Sequence, residues 1–157
     1  MKAVIQRVVS ASVAVEGSII GHIAQGIVVL LGAAKGDDLH DVKFMVEKIP
    51  HLRIFSDSSG KMNVSLIEVG GAILLVSQFT LLGDLTKGKR PGFDLAAPPA
   101  LAKQLYDSLI QQFREKSLYV ATGEFGAHMQ VTLQNDGPVT FILDSQNRRI
   151  PKNPNMK

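Results

Sequence analysis

The 157-residue chain has no cysteine. That absence excludes disulfides, thiolate metal sites and a cysteine nucleophile, and it fits a reducing compartment. Aromatic residues make up only 6% of the chain, which is thin for the stacking surfaces of single-strand nucleic-acid modules, and no RNP-type aromatic run is present. The apolar runs are of strand length, far below the ~20 residues that cross a bilayer, and the segment from Met1 to Arg7 has no apolar signal core. A cytoplasmic protein with no membrane partner is therefore expected. Charge of neither sign dominates: the net +3 permits nucleic acid as a partner without requiring it.

The familiar catalytic signatures are missing as well. His22, His40, His51 and His128 are too scattered for a helical pair of metal ligands, and there is no His-Glu-x-x-His. Ser77 is not framed by Gly-x-Ser-x-Gly, so a nucleophile elbow is not expected. The stretch from Gly83 to Gly92 is glycine-spaced but lacks the Gly-Lys-Ser/Thr ending of a phosphate loop. An enzyme built on this chain would work by positioning and by backbone donors, without a strong base.

The pattern that is present points to one α+β domain with a largely antiparallel, barrel-like sheet and two amphipathic helices. Ala3 to Val15 followed by Glu16-Gly17-Ser18 and Ile19-Ile20 reads as a hairpin, and the β-branched run Gly26 to Gly32 as a strand covered on both faces. Asp37-Asp38 offers an N-cap for a helix whose apolar positions are Leu39, Val42, Met45, Val46 and Ile49, ending at Pro50. Short strands are expected at Leu52 to Phe55 and Met62 to Leu66, then a buried strand from Gly71. Pro98-Pro99 opens a second helix with the stripe Ala102, Leu105, Tyr106, Leu109, Ile110 and Phe113. Ser117 to Thr122 reads as extended. Met129 to Leu133 and Val139 to Leu143 alternate, and a turn at Asn135-Asp136-Gly137-Pro138 is expected to pair them as a hairpin. Residues 146–157 show no periodicity and read as a loosely ordered basic tail.

Three stretches remain as candidates for chemistry. Ser77-Gln78-Phe79-Thr80-Leu81 sets hydrogen-bonding groups at the end of a buried strand, beside the cationic loop Lys87-Gly88-Lys89-Arg90-Pro91. Such groups either cap a turn or hold a substrate, and both readings are open at this point. Arg7, inside the first strand, either snorkels at a sheet edge or grips the carbonyls of a nearby loop. Gly137-Pro138 is either an ordinary trans turn or a cis bond whose neighbouring carbonyls form a ledge.

The pairing of Ser77-Gln78-Phe79-Thr80-Leu81 with Asn135-Asp136-Gly137-Pro138-Val139-Thr140 resembles the motif pair of D-aminoacyl-tRNA deacylases. Met1 to Val8, Gly60-Lys61-Met62-Asn63, Val69-Gly70-Gly71, Lys89-Arg90-Pro91 and Leu143-Asp144-Ser145 extend the likeness over 1–145, leaving 146–157 outside it. Val64 and Gly92 depart from the family pattern, and neither falls in the paired motifs.

What the resemblance implies is a homodimer that hydrolyses D-aminoacyl-tRNA, and glycyl-tRNA with it, with its active sites at the interface and without metal or organic cofactor. Ser77, Gln78, Phe79 and Thr80 would form the catalytic site. Gly137-Pro138, cis and supplied by the partner subunit, would capture the substrate ammonium and turn away L side chains. Arg7 would steady that ledge, and Lys87, Lys89 and Arg90, with Arg148 and Arg149, would meet tRNA phosphates. Thr80 as covalent nucleophile, a non-catalytic RNA-binding module and a small-molecule esterase using Ser77 or Thr80 are the competing readings.

Overall fold

A computed structural model describes residues 1–86 and 88–149. β1 (Lys2–Val15) forms the axis of the sheet, with β2 (Ser18–Ile23) and β3 (Gly26–Gly32) antiparallel along one edge and β8 (Gln130–Asp144) antiparallel along the other. β3 continues in parallel to β6 (Ala72–Ser77), and β6 in parallel to β7 (Val120–Thr122). β2 and β7 approach each other at Gly21 and Thr122, which nearly closes the sheet into a barrel. The small hairpin β4 (Phe55–Ser56) with β5 (Met62–Val64) stands apart, shorter than the strands expected there.

The two parallel pairs require crossovers, and the two helices supply them. α1 (Leu39–Lys48) lies between β3 and β6, and α2 (Pro99–Glu115) between β6 and β7. Asp38 caps α1 in a capping box with Asp41, as its spacing anticipates. Val42, Met45 and Val46 of α1 and Leu105, Leu109 and Phe113 of α2 pack on Ile5, Ile27, Val29, Ile73 and Leu75 of the sheet in one core. Each such buried side chain contributes about 1.5–3 kcal/mol. Val8, Ala11, Val13, Val28, Leu74 and Val76 build a second core on the opposite face.

β1 serves both cores through a bulge. Ala3 and Ile5 belong to the first, whereas Val8, Ala11 and Val13 belong to the second. Val8 pairs with Asn135 and Ser10 with Gln134, so Val9 is an extra residue that reverses which parity faces inward.

The hairpin expected at Asn135-Pro138 does not exist. Both halves of β8 pair with β1 in one continuous antiparallel ladder. Gln6 pairs with Thr140 and Val8 with Asn135, so residues 136–139 stand opposite Arg7 alone and leave the sheet as a bulge. Turn-forming composition cannot separate a reversal from a bulge; the length of β1, able to accept both halves, decides it.

Asp37, read with Asp38 as a cap, has a different task. Its carboxylate lies 2.7 Å from the Met1 ammonium, both fully buried, and accepts hydrogen bonds from the Ala34 N–H at 2.6 Å and Gln146 Nε2 at 2.9 Å. The ammonium also donates to Ser145 Oγ at 2.5 Å. This cluster joins the start of β1, the approach to α1 and the end of β8. Ser145–Arg149 form a 3-10 turn, and residues 150–157 of the anticipated tail lie outside the described residues. Among the described residues, no helix is long and apolar enough to cross a membrane.

Candidate active site

β6 is buried along Ile73–Val76 and emerges at Ser77, which is half-buried. The Gln78 N–H still donates to Leu31 O at 2.7 Å, so the strand's ladder runs one residue past its end. The chain then tightens into a 3-10 turn, Phe79–Leu82, pinned by buried Leu82. This turn sits on bare backbone: a Cβ at Gly32 of β3 would lie 2.5 Å from Leu82 Cδ2 and 2.8 Å from Gln78 O. Gly32, read only as a strand boundary, is the floor of the site.

Within the turn, the first internal bond is the Leu81 N–H to Gln78 O, at 3.2 Å. The N–H groups of Phe79 and Thr80 precede it and have no acceptor in the turn's own ladder, and Gln78 supplies no side-chain cap. Two adjacent backbone donors are thereby left without an acceptor in the turn. The Gln78 amide donates to Thr80 Oγ1. An amide cannot take a proton, so this contact orients the Thr80 hydroxyl without activating it.

Phe79 is 57% exposed and meets Phe93 edge-on, with ring centroids 5.0 Å apart. Behind this pair lies a largely apolar cavity of about 500 Å³ whose walls include Met1, Leu31, Pro98, Tyr106 and Phe125. Tyr106 donates its O–H to Leu75 O at 2.8 Å, tying α2 to the strand that carries the site, and burial pushes its phenol pKa upward, so it stays a neutral donor. Phe93 carries no sequence signal; it follows Gly92 after the cationic loop, and only the fold brings it onto Phe79. Asp84 and Gly92 bridge across the base of that loop. Lys89 and Arg90 are exposed on it. Lys87 lies outside the described residues, and the side chains of Arg148 and Arg149 are likewise outside them.

The second motif stands at the far corner of the sheet. The Gly137-Pro138 bond is cis. Gly137 and Pro138 are exposed, while Val139 is buried and anchors one side of the bulge. Arg7 holds the other side: its Nε lies 3.0 Å from both the backbone oxygen and Oδ2 of Asp136, and its Nη1 donates to Ile54 O at 2.7 Å. Arg7 thus grips loop carbonyls and is no edge snorkel. Asn135 donates to Arg7 O at 2.8 Å and to Val139 O at 3.4 Å.

One chain does not bring the two motifs together. Ser77 pairs with Leu31 and Leu31 with Ala3, whereas the bulge faces Arg7, four residues further along β1. That is ~14 Å along the strand, and the three strand steps from β8 to β6 add ~14 Å across, so the motifs are roughly 20 Å apart. Among the described strands β8 pairs only with β1, and Ile142 on it is 78% exposed. Ile142, Val4, Leu30 and Val76 form one cross-strand row, an apolar face that runs toward the Phe79–Leu82 turn. No three His, Asp or Glu converge as metal ligands among the described residues.

A family model described as D-Tyr-tRNA(Tyr) deacylase matches residues 4–144. A D-aminoacyl-tRNA deacylase of Pelobacter propionicus is 60% identical over 144 residues, covering 92% of this chain and 99% of that protein. One from Thermosipho africanus is 55% identical over 146 residues, covering 93% and 98%. Among solved structures, one described as a c-Myc DNA Unwinding Element Binding Protein superposes with a TM-score of 0.86 at 47% identity, covering 92% of this chain and 98% of that one. A probable eukaryotic D-amino acid tRNA deacylase has the same fold, with a TM-score of 0.77 at 18% identity over 90% of this chain and 97% of that one. On the family match across nearly the whole sheet, and on relatives matched almost end to end, this chain belongs to the D-Tyr-tRNA(Tyr) deacylase family.

Proposed function

We propose that the protein hydrolyses the ester bond of D-aminoacyl-tRNA, and of glycyl-tRNA, releasing the free amino acid and a tRNA with its terminal ribose hydroxyl restored. The observation that carries this reading is the pair of N–H groups at Phe79 and Thr80 that have no acceptor in the turn, next to a largely apolar cavity. An aminoacyl ester is already activated, so the reaction needs an attacking water and a cradle for the oxyanion, not a strong nucleophile. Each such donor is typically worth ~3 kcal/mol in the transition state. The ribose hydroxyl next to the ester assists the water. Gln78 and Thr80 hold the ester and ribose, Phe79 packs against the terminal adenine, and Ser77 shapes the strand end beneath them.

Selection by chirality is assigned to Gly137-Pro138 of a second copy of the chain. The roughly 20 Å between the motifs in one chain, the exposure of the bulge and the apolar row ending at Ile142 all favour a homodimer in which each copy completes the other's site. There the ledge carbonyls take the substrate's α-ammonium and direct an L side chain into the wall, so selection comes from rejecting L. Glycine has no side chain to reject. Lys89 and Arg90, with Lys87, contribute salt-sensitive contacts to tRNA phosphates, which makes the cytoplasm the natural setting.

The test is a set of time courses on one tRNA charged with D-Tyr, L-Tyr or Gly. Loss of D-Tyr and Gly with L-Tyr intact is the expected result; equal loss of both enantiomers points to a general esterase, and no loss of any to an RNA-binding module. Thr80→Val separates positioning from covalent catalysis. Because Gln78 only orients the hydroxyl, the rate on D-Tyr-tRNA is expected to fall by roughly three- to tenfold, the worth of about one hydrogen bond. A fall of several thousandfold would make Thr80 the nucleophile.

A further inference from the structure

Asn135 has two partners that no packing role requires. It pairs with Val8 at the foot of the bulge, is itself exposed, and sends Nδ2 to Arg7 O at 2.8 Å on β1 and to Val139 O at 3.4 Å on the far side of Gly137 and Pro138. The side chain therefore spans the mouth of the bulge and joins its two ends. Its other polar atom lies directly under the turn: a Cβ at Gly137 would be 2.7 Å from Asn135 Oδ1. Arg7, whose carbonyl Asn135 holds, returns the contact by gripping Asp136 O at 3.0 Å. The two residues thus hold both flanks of the ledge, Asn135 joining Arg7 O to Val139 O and Arg7 gripping Asp136 O.

We propose that Asn135 is a positioning residue that sets the direction of the ledge carbonyls and thereby the D-over-L selectivity of the reaction. The inference rests on the assignment of chirality to Gly137-Pro138. Its physical content is narrow: the amide N–H is needed, not the volume. Two carbonyl oxygens face Nδ2, so a carboxylate oxygen at that place would repel both and open the mouth. Asp fills the same space as Asn and tells the two possibilities apart.

The experiment compares wild type, Asn135→Ala and Asn135→Asp in single-turnover hydrolysis of D-Tyr-tRNA and L-Tyr-tRNA, with thermal melts of each protein. For both variants the ratio of L to D hydrolysis is expected to rise roughly tenfold, the worth of one or two well-placed hydrogen bonds, with Asp at least as permissive as Ala. The melts should barely move, because the side chain is exposed and only local bonds are lost. A ratio unchanged in both variants, with or without a lower melting temperature, overturns the proposal, as does selectivity kept by Asp and lost by Ala, which would make the role one of filling space. A wild type that hydrolyses both enantiomers equally is a separate outcome: it overturns the chirality assignment itself, whatever the variants do.

Discussion

Replacing Gly137 with alanine is expected to lower kcat/KM for D-Tyr-tRNA by about 100-fold, the usual consequence of displacing a reacting group by about 1 Å. The new Cβ would lie 2.5 Å from the backbone N of Val139 and 2.7 Å from Asn135 Oδ1. Neither neighbour yields easily. Val139 is buried in the main core at 5% exposure, and Asn135 is held by Arg7 O and Val139 O. The clash is relieved only if the exposed part of the bulge moves, and that part is the ledge proposed to meet the substrate ammonium. Stability is expected to fall by ~1–3 kcal/mol as well, because one of the clashes is with the backbone of buried Val139. Single-turnover rates with a melting curve read both quantities; a rate within threefold of wild type would mean that the ledge moves without consequence and that substrate capture lies elsewhere.

The second large effect concerns stability. Asp37→Ala should destabilise the fold by about 3–5 kcal/mol, because it strands the buried Met1 ammonium without its counter-charge and leaves the Ala34 N–H without its acceptor. In a chain of this length that corresponds to a melting temperature lower by roughly 10 °C. Asp37→Asn keeps an oxygen for the Ala34 N–H but loses the charge, so its cost is expected to fall between those of wild type and Asp37→Ala. Urea unfolding followed by circular dichroism measures both. A loss below about 1 kcal/mol for the alanine variant would show that the ammonium finds water or Ser145 sufficient. The cluster also borders the cavity behind Phe79, since Met1 lines it, so activity lost together with stability would connect the two.

What the sequence determined by itself is what depends on neighbours along the chain. The helical stripe from Ala102 to Phe113 and the cap at Asp38 follow from a 3.6-residue period and from local hydrogen bonds, and both helices lie where that reading put them. The strand from Gly26 to Gly32 is covered on both faces because an unbroken β-branched run admits no solvent face. The family resemblance carried by the paired motifs around Ser77 and Gly137 was legible because their residue types and order are specific, and the family match over residues 4–144 agrees with that resemblance.

What only the tertiary structure decided is whatever requires two distant segments to meet. Asn135 to Pro138 has the composition of a turn, and only the length of β1, which accepts both halves of β8, makes it a bulge. Asp37 has the composition of a cap, and only the packing of Met1 and Ser145 beside it makes it a buried counter-ion. Gly32 is a floor because the turn at Phe79–Leu82 folds down onto it, and Phe93 is a wall because the cationic loop turns back. Composition and period register what a residue prefers locally. Which residue it meets is set by strand order and register, and these are chosen by burying both faces of the sheet at once.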